Sequence, residues 1–374
     1  MSFRQSIEQQ MKHLMMVLAG VAFMLGSCQE EAVLVDDNVV GQEVRRAIGF
    51  DNTFIDQAYA TRVGAPLALS DYATTMGVWG WRSDDEVTDQ PQFIDQLITY
   101  DNAAAKWQYN PLRYWETNST YRFYAYAPHQ SETTDAVVSI DPATGRISID
   151  GVVLTGTNIQ EPPTTAPQYV FATAQGDIDW MIARTGKTNV PGRLNQTVEF
   201  TMQHILSKLN VAVRISDALA ADDGIEAVII DNLTISPFVS KGNFAQTLDH
   251  TPDASLAADR AAGEWTLTGS PALALHGAED AAVAPHTLLY IMESLVLPQD
   301  VTDQQTLKLC YTLVATDGRR ERYTYTMPLA TAFGPATEAG GEFLSGYSYT
   351  LKLTIEPNVI TFDPGVDDWI AIED

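Results

Sequence analysis

Residues 306–328 read TLKLCYTLVATDGRRERYTYTMP and contain the clearest structural pattern of the chain. Apolar residues occupy every second position from Leu307 to Leu313, and the alternation resumes at Tyr323. Asp317-Gly318 lies between the two runs, and Asp-Gly is favoured in tight hairpin turns because glycine readily takes a positive φ. The stretch therefore predicts two antiparallel strands joined by a short turn.

The same period of two recurs elsewhere in the sequence. Residues 349–355 place an apolar side chain at every second position, and residues 137–140 and 147–149 flank a loop that contains Pro142 and Gly145. Half-buried antiparallel strands produce this alternation, whereas no long helical pattern is evident. Several such strands predict an all-β fold made of sandwiches or barrels.

The length and one polar segment indicate how the strands are divided. A chain of 374 residues fits two domains of roughly 100–200 residues each. Residues 184–196 are polar and rich in turn-forming residues, as expected of a linker. We therefore predict one sandwich over residues 47–190 and a second over residues 197–374.

The composition describes an anionic globular protein. Hydrophobic residues make up 45% of the chain, and 48 acidic against 22 basic residues give a formal net charge of −26. This charge disfavours nucleic acid as a partner, because phosphate binding depends on clustered Lys and Arg. Cys28 and Cys310 are too few for a disulfide framework or for a zinc site with several thiolates. We expect neither a metal nor a cofactor.

The N-terminus has the pattern of an export signal. An apolar run over residues 14–25 follows Arg4 and Lys12 and precedes Gly26-Ser27-Cys28. Such a run spans only about 18 Å as a helix, against roughly 30 Å of hydrocarbon, so we do not expect a permanent transmembrane segment. The end of the run resembles a bacterial lipobox, which predicts a signal peptide over residues 1–27 and acylation of Cys28. An ordinary signal peptide with Cys28 as a bystander is the alternative.

Several short aromatic and apolar motifs follow one another along the chain. They are Pro111–Trp115, Tyr121–Pro128, Asp179–Ala183, Phe200–His204, Leu206–Val213, Gly346–Leu351 and Val366–Trp369. In their order and spacing they resemble the motifs of the fimbrillins, the subunit family of type V pili. The resemblance implies two tandem antiparallel β-sandwich domains of the transthyretin-like, Greek-key type after a lipoprotein signal. We interpret the aromatic residues, including Tyr114 and Trp369, as core residues.

The resemblance also implies proteolytic processing. In fimbrillins an arginine-specific protease removes the first strand of the exported precursor. By resemblance the cut falls after Arg46, with Arg45 as the alternative, and residues 28–46 form a lipidated leader with a removable strand. A dibasic pair on an ordinary loop would give the same sequence, and Arg62 stays open as a third site. The gap left by the strand would accept a strand of another subunit, which joins subunits head to tail.

Acidic clusters are the main features that favour an enzyme instead. Asp84-Asp85-Glu86 and the pair Asp177 and Asp179 could act as acid–base or calcium groups, but chance clustering explains them among 48 acidic residues. The sequence contains neither a glycine-rich phosphate loop nor a G-x-S-x-G nucleophile motif. We therefore expect no enzymatic activity.

The alternative function is a non-polymerising outer-membrane lipoprotein that binds a glycan or a host protein. Trp79 and Trp81, which share one strand face, and Trp107 would serve this role, because sugars stack on aromatic rings. The competing interpretation places these rings in the core. By similar reasoning, we interpret His204 as a hydrogen-bonded core histidine and Cys310 as lying on the less buried face of its strand.

The resemblance to the fimbrillins implies a structural or tip subunit of a type V fimbrium that serves surface adhesion. The expected partners are other pilus subunits, the outer membrane through acyl chains on Cys28 before processing, and a host or glycan receptor. The expected location is the surface of the outer membrane and, after processing, the fimbrium. The sequence leaves open whether the C-terminal tail donates a strand.

Overall fold

A computed structural model describes most of the chain that follows the predicted leader. The described residues are 47–55, 68–116, 118–132, 135–156, 177–185, 190–191, 197–248, 263–333, 341–357 and 360–368. The chain divides into residues 1–47 and a compact unit that begins at Ile48. Within the described ranges, no helix is long and apolar enough to cross a membrane.

The described part of the chain is almost entirely β-structure, which confirms the predicted fold class. Its two short α-helices are Asp217–Ala220 and Leu329–Phe333, and two single-turn 3-10 helices span Leu69–Asp71 and Gln130–Glu132. The strands are β1 (Gly49–Ile55), β2 (Thr75–Ser83), β3 (Gln90–Asp101), β4 (Lys106–Gln108), β5 (Thr120–Ala127), β6 (Val137–Asp141), β7 (Arg146–Val153), β8 (Met181–Arg184), β9 (Val190–Pro191), β10 (Thr197–His204), β11 (Ser207–Ile215), β12 (Ile225–Phe238), β13 (Lys241–Thr247), β14 (Glu264–Thr268), β15 (Leu273–His276), β16 (Ala281–Val283), β17 (Leu289–Val296), β18 (Thr306–Ala315), β19 (Arg320–Pro328), β20 (Tyr347–Ile355) and β21 (Ile360–Asp368).

Two sheets, one large and curled and one smaller, contain the strands of the N-terminal half together with β10, β13 and β14. The large sheet has the order β1-β10-β8-β5-β2-β3-β4, with β9 beside β5, and the smaller sheet has the order β14-β13-β7-β6. Trp79, Tyr126 and Phe244 belong to the apolar cluster between the two sheets. The other face of the large sheet curls around a second apolar cluster, and the backbone N–H of Trp107 in β4 donates to Asp51 Oδ1 in β1. Both faces of the central strands are therefore buried.

The C-terminal half is a sandwich of two sheets. One sheet has the order β17-β11-β20-β21, and the other has the order β15-β12-β18-β19 with β16 beside β12. The apolar residues of the alternating pattern in β11, β18 and β20 point between the sheets, among them the fully buried Leu209, Leu309 and Leu351. This confirms that the period of two identified the core-facing positions of these strands.

Both hairpins that the sequence predicts are present. β6 pairs with β7, and β18 pairs with β19, in antiparallel register. Gly145 (φ +69°) and Gly318 (φ +85°) occupy left-handed conformations in the connecting turns, which explains the glycine at each position. The sheets depart from a purely antiparallel arrangement in two places, because β1 runs parallel to β10 and β11 runs parallel to β20.

Sheet membership crosses the predicted linker. β10, β13 and β14 follow the linker in sequence, yet β10 pairs with β8 and β13 pairs with β7. The backbone hydrogen bonds of these strands thus tie residues on both sides of the linker into common sheets. The division into one sandwich over residues 47–190 and a second over residues 197–374 stays a prediction.

Candidate assembly site

The first strand of the compact unit lies at an end of the large sheet. β1 pairs with β10 in parallel, from Gly49 opposite Thr197 to Ile55 opposite Met202. Phe50 is fully buried, and its ring contacts four other aromatic rings, those of Phe93, Tyr109, Phe123 and Phe200. This aromatic cluster attaches β1 firmly to the interior of the curled sheet.

Two hydrogen bonds fix the residue that precedes β1. The backbone N–H of Ile48 donates to the carbonyl of Arg113 at 2.9 Å, and the hydroxyl of Tyr109 donates to the carbonyl of Ile48 at 2.8 Å. Burial raises the pKa of Tyr109 to about 12, so its hydroxyl keeps its proton at neutral pH. Sequence reasoning missed this anchor, because no local pattern relates Tyr109 to a partner 61 residues away.

The last described strand lies at an end of a C-terminal sheet. β21 pairs with β20 in antiparallel register, from Ile360 opposite Ile355 to Asp368 opposite Tyr347. Within the described residues β20 is its only partner strand. Ile360 is buried in the core of the C-terminal sandwich. An end strand of this kind is held by one ladder of hydrogen bonds and by the apolar side chains of one face.

The predicted lipidation and processing residues lie outside the described part of the chain. Cys28, Arg45 and Arg46 therefore stay predictions, as does the removable strand within residues 28–46. The compact unit begins two residues after Arg46, at Ile48.

The tryptophans proposed as a glycan platform belong to the core. Trp79 is 4% exposed, and Trp81 and Trp107 are each 7% exposed. The Trp79 ring packs on Tyr126 with centroids 5.0 Å apart, and the Trp81 ring meets Tyr124 edge to face at 5.7 Å. The core interpretation is confirmed, and an exposed aromatic platform at these residues is wrong.

The acidic clusters form turns and buried contacts instead of a shared site. Asp84 accepts hydrogen bonds from the backbone N–H groups of Glu86 and Val87, which hold its pKa below the ordinary value. Asp177 accepts from the backbone N–H of Gly156 at 2.9 Å and from the hydroxyl of Thr155 at 2.8 Å. These contacts give each carboxylate a local structural role.

His204 and Cys310 are buried, whereas Tyr114 is exposed. His204 is a buried core histidine as predicted, with its Nδ1 atom 2.8 Å from Asp179 Oδ2. Cys310 was expected on a less buried face, but it is only 5% exposed because it lies between flanking strands with its Sγ atom 3.5 Å from Thr324 Oγ1. Tyr114 is 41% exposed and is not a core residue. Trp369 lies outside the described residues.

Comparisons with known proteins place this architecture in a family. The sequence model of the Fimbrillin-like family matches residues 61–369. The fold is similar to that of a fimbrial protein from Bacteroides vulgatus, with 15% identity, a TM-score of 0.57, and coverage of 87% of this chain and 100% of that chain. It is also similar to that of a candidate cell adhesion protein from Bacteroides ovatus, with 16% identity, a TM-score of 0.50, and coverage of 89% and 100%.

A search of curated proteins found no match. The two structural similarities show a shared fold at low sequence identity, whereas the family match covers most of the sequence. The chain belongs to the Fimbrillin-like family.

Proposed function

We propose that this protein is a pilus subunit that assembles by strand exchange after an arginine-specific protease cuts its leader at Arg46. Membership of the Fimbrillin-like family supports the role as a fimbrial subunit at the cell surface. The observation that carries the cleavage site is the start of the compact unit at Ile48, where two hydrogen bonds anchor the backbone. A cut after Arg46 leaves this anchor intact with one residue, Ala47, before it.

The burial of Phe50 in β1 favours cleavage at Arg46 over cleavage at Arg62. A cut after Arg62 would remove β1 and with it the buried ring of Phe50. Loss of a buried phenylalanine side chain typically costs about 3–5 kcal/mol, and the strand would take its backbone pairing with β10 as well. Cleavage at Arg45 or Arg46 avoids this cost.

Before cleavage, we propose that acyl chains on Cys28 hold the precursor on the outer membrane. Two or more acyl chains give stable membrane anchoring, because each buried methylene contributes about 0.8 kcal/mol. Labelling of cells with a fatty-acid analogue should mark the precursor, and Cys28→Ser should abolish the label. A labelled Cys28→Ser protein would contradict lipidation at this residue.

We propose β21 as the strand that one subunit donates to the next. Among the described strands it pairs only with β20, at the end of the sheet, so it can leave that sheet by breaking one ladder. Its sequence places apolar residues at Ile360, Phe362 and Val366, and this alternation suits a groove with pockets for every second side chain. Since donor and acceptor surfaces differ, repeated exchange would build an open filament.

One experiment tests the cleavage site. The exported protein with Cys28→Ser is treated with an arginine-specific protease, and the product is analysed by N-terminal sequencing and size-exclusion chromatography. We expect a start at Ala47 and the formation of oligomers. Arg46→Lys keeps the charge but should remove this cut, whereas the matched control Arg45→Lys should not. A start at Val63 would contradict cleavage at Arg46, and a cleaved protein that stays monomeric would contradict strand exchange.

A second experiment tests the donor strand. Lys352 and Asp363 are exposed register partners on β20 and β21, so the double substitution Lys352→Cys/Asp363→Cys should lock β21 to its own sheet. The cleaved, locked protein should stay monomeric until a reductant is added. Lys308→Cys/Thr326→Cys is the matched control, because these exposed partners join β18 and β19 instead. If the oxidised Lys352→Cys/Asp363→Cys protein assembled as fully as the oxidised control, β21 would be ruled out as the donor.

A further inference from the structure

A pocket of about 660 Å³ opens on the C-terminal sandwich. Its floor is the outer face of β11, β20 and β21, where Arg214, Lys352 and Thr361 alternate with core residues of the same strands. Residues 286–288, which precede β17, form one wall. The volume falls in the range of about 300–1,000 Å³ that is typical of small-ligand pockets.

Two cations on the pocket floor are available to an anion. The Nε atom of Arg214 donates to Thr354 Oγ1 at 2.9 Å, which orients the guanidinium and does not engage its Nη groups. Lys352 lies opposite Asp363 in register, and both residues line the pocket. In the described part of the chain, neither cation pairs with a carboxylate, although acidic residues outnumber basic ones by 48 to 22. A guanidinium without a carboxylate partner can donate two parallel hydrogen bonds to the carboxylate of a ligand.

Acceptors surround these cations. Asp217, Glu356 and Asp363 line the pocket together with the hydroxyl groups of Ser216 and Thr361. Some of these groups already have a partner: Asp217 Oδ1 lies 3.2 Å from His286 Nδ1, and Glu356 Oε1 accepts from the hydroxyl of Thr361 at 3.4 Å. Ser216 Oγ accepts from the backbone N–H of Leu219, so a ligand would meet the second oxygen of each carboxylate and the hydroxyl hydrogen of Ser216. Their carboxylates would repel a ligand with several negative charges, but they accept hydrogen bonds from hydroxyl groups. The lining therefore fits a ligand that combines one carboxylate with several hydroxyl donors.

We propose that this pocket binds an acidic saccharide, a sugar that carries a single carboxylate. Arg214 and Lys352 hold the carboxylate, and the acidic and hydroxyl groups around them hold the sugar hydroxyls. This site differs from the aromatic platform, since all three of those tryptophans are buried. A subunit can bind the sugar without exchanging a strand. The pocket is complete in a subunit that keeps its own β21, because Thr361 and Asp363 belong to that strand.

Isothermal titration calorimetry of the uncleaved Cys28→Ser protein tests the proposal. The probes are glucuronate and N-acetylneuraminate, which represent the two common kinds of acidic sugar, with glucose and acetate as controls. We expect one acidic sugar or both to bind more tightly than either control. Arg214→Gln and Lys352→Gln should each weaken that binding about tenfold, as expected for loss of a charge-assisted hydrogen bond.

The matched control is Arg320→Gln, which removes the same charge from an exposed residue of β19, outside the pocket. This variant should bind like the wild type, and thermal unfolding checks that all three variants are folded. Failure of both acidic sugars to bind, equal binding of glucose or acetate, or unchanged affinity in folded Arg214→Gln would overturn the proposal.

Discussion

At the scale of single residues, Gly77 shows how tightly the N-terminal core is packed. A methyl group at this position would overlap the ring of Tyr126 on the neighbouring strand β5. Tyr126 is fully buried and packs against Trp79 and Trp180, so it cannot move aside freely. The absence of a side chain at Gly77 thus makes room for the aromatic cluster between the two sheets.

We predict that Gly77→Ala destabilises the protein by about 1–3 kcal/mol, the usual cost of overpacking a core. Gly365→Ala is the matched control, because Gly365 has a negative φ and its nearest obstacle, the carbonyl oxygen of Thr350, would lie 3.8 Å from the new methyl group. Urea unfolding followed by tryptophan fluorescence measures both variants. A wild-type free energy of unfolding in Gly77→Ala would show that Tyr126 repacks without cost.

Asp95 is a second residue whose surroundings predict a measurable effect. The Tyr126 hydroxyl donates to its Oδ1 at 2.6 Å, Gln130 Nε2 donates to its Oδ2, and His129 Nε2 lies 3.5 Å from its Oδ1. Burial raises the pKa of Asp95, but the hydrogen bonds from these three side chains together hold it below the ordinary value.

A lowered pKa in the folded state means that the Asp95 carboxylate stabilises the fold above its unfolded pKa of about 3.9, and that this contribution disappears as the pH falls through the folded pKa. We predict that Asp95→Asn lowers the free energy of unfolding by about 1–3 kcal/mol at pH 7. The difference from wild type should shrink below about pH 4. Urea unfolding from pH 7 to pH 3 measures it, and a difference that is constant with pH would contradict this role.

At the scale of secondary structure, the buried ring of Phe50 adds a packing anchor to the backbone pairing of β1 with β10. We predict that Phe50→Ala costs about 3–5 kcal/mol, because it leaves a cavity among four aromatic rings. Hydrogen exchange of the backbone amides in β1 should accelerate more than exchange in β20. Ile94→Ala is the control, since Ile94 is 72% exposed and its loss should cost less than about 0.5 kcal/mol. Equal costs for the two variants would contradict the anchoring role of Phe50.

Elements with local signals could be predicted from the sequence. The hairpins β6–β7 and β18–β19 and the alternation of β20 are encoded within about 25 residues, since turn chemistry and side-chain period act between near neighbours. The pairing of β1 with β10 joins strands almost 150 residues apart, and no periodic pattern specifies such a partner. For the same reason, sequence reasoning assigned β13 to the C-terminal sandwich alone.

The candidate site shows the same division. The sequence indicated that Trp79 and Trp81 share a face, but the burial of that face depends on β7 and β13, which pack against it. The small side chain of Cys310 is covered by neighbours on flanking strands, which a count of alternating positions does not reveal. The pocket around Arg214 and Lys352 joins four separate segments and had no signal in the sequence.

At the scale of the whole molecule, the formal net charge of −26 becomes 18 − 42 = −24 once residues 1–46 are removed, and this charge opposes association between copies. Salt screens this repulsion, because the Debye length falls from roughly 30 Å at 0.01 M to about 8 Å at 0.15 M. We predict that cleaved subunits assemble several-fold faster at the higher ionic strength, as measured by light scattering. Slower assembly in salt would show instead that complementary charged patches attract the subunits.

The position of β11 has a consequence for the order of folding. β11 lies between β17 and β20, and it pairs with β20 from Lys208 opposite Ser348 to Ile215 opposite Ile355. In a chain that emerges N-terminus first, about 140 further residues must therefore emerge after Lys208 before its partner in β20 appears, and until then this edge of β11 exposes unpaired backbone N–H and C=O groups. Passage through a membrane would prolong that wait, so a holding chaperone should raise the yield of folded protein more than a faster rate of synthesis would.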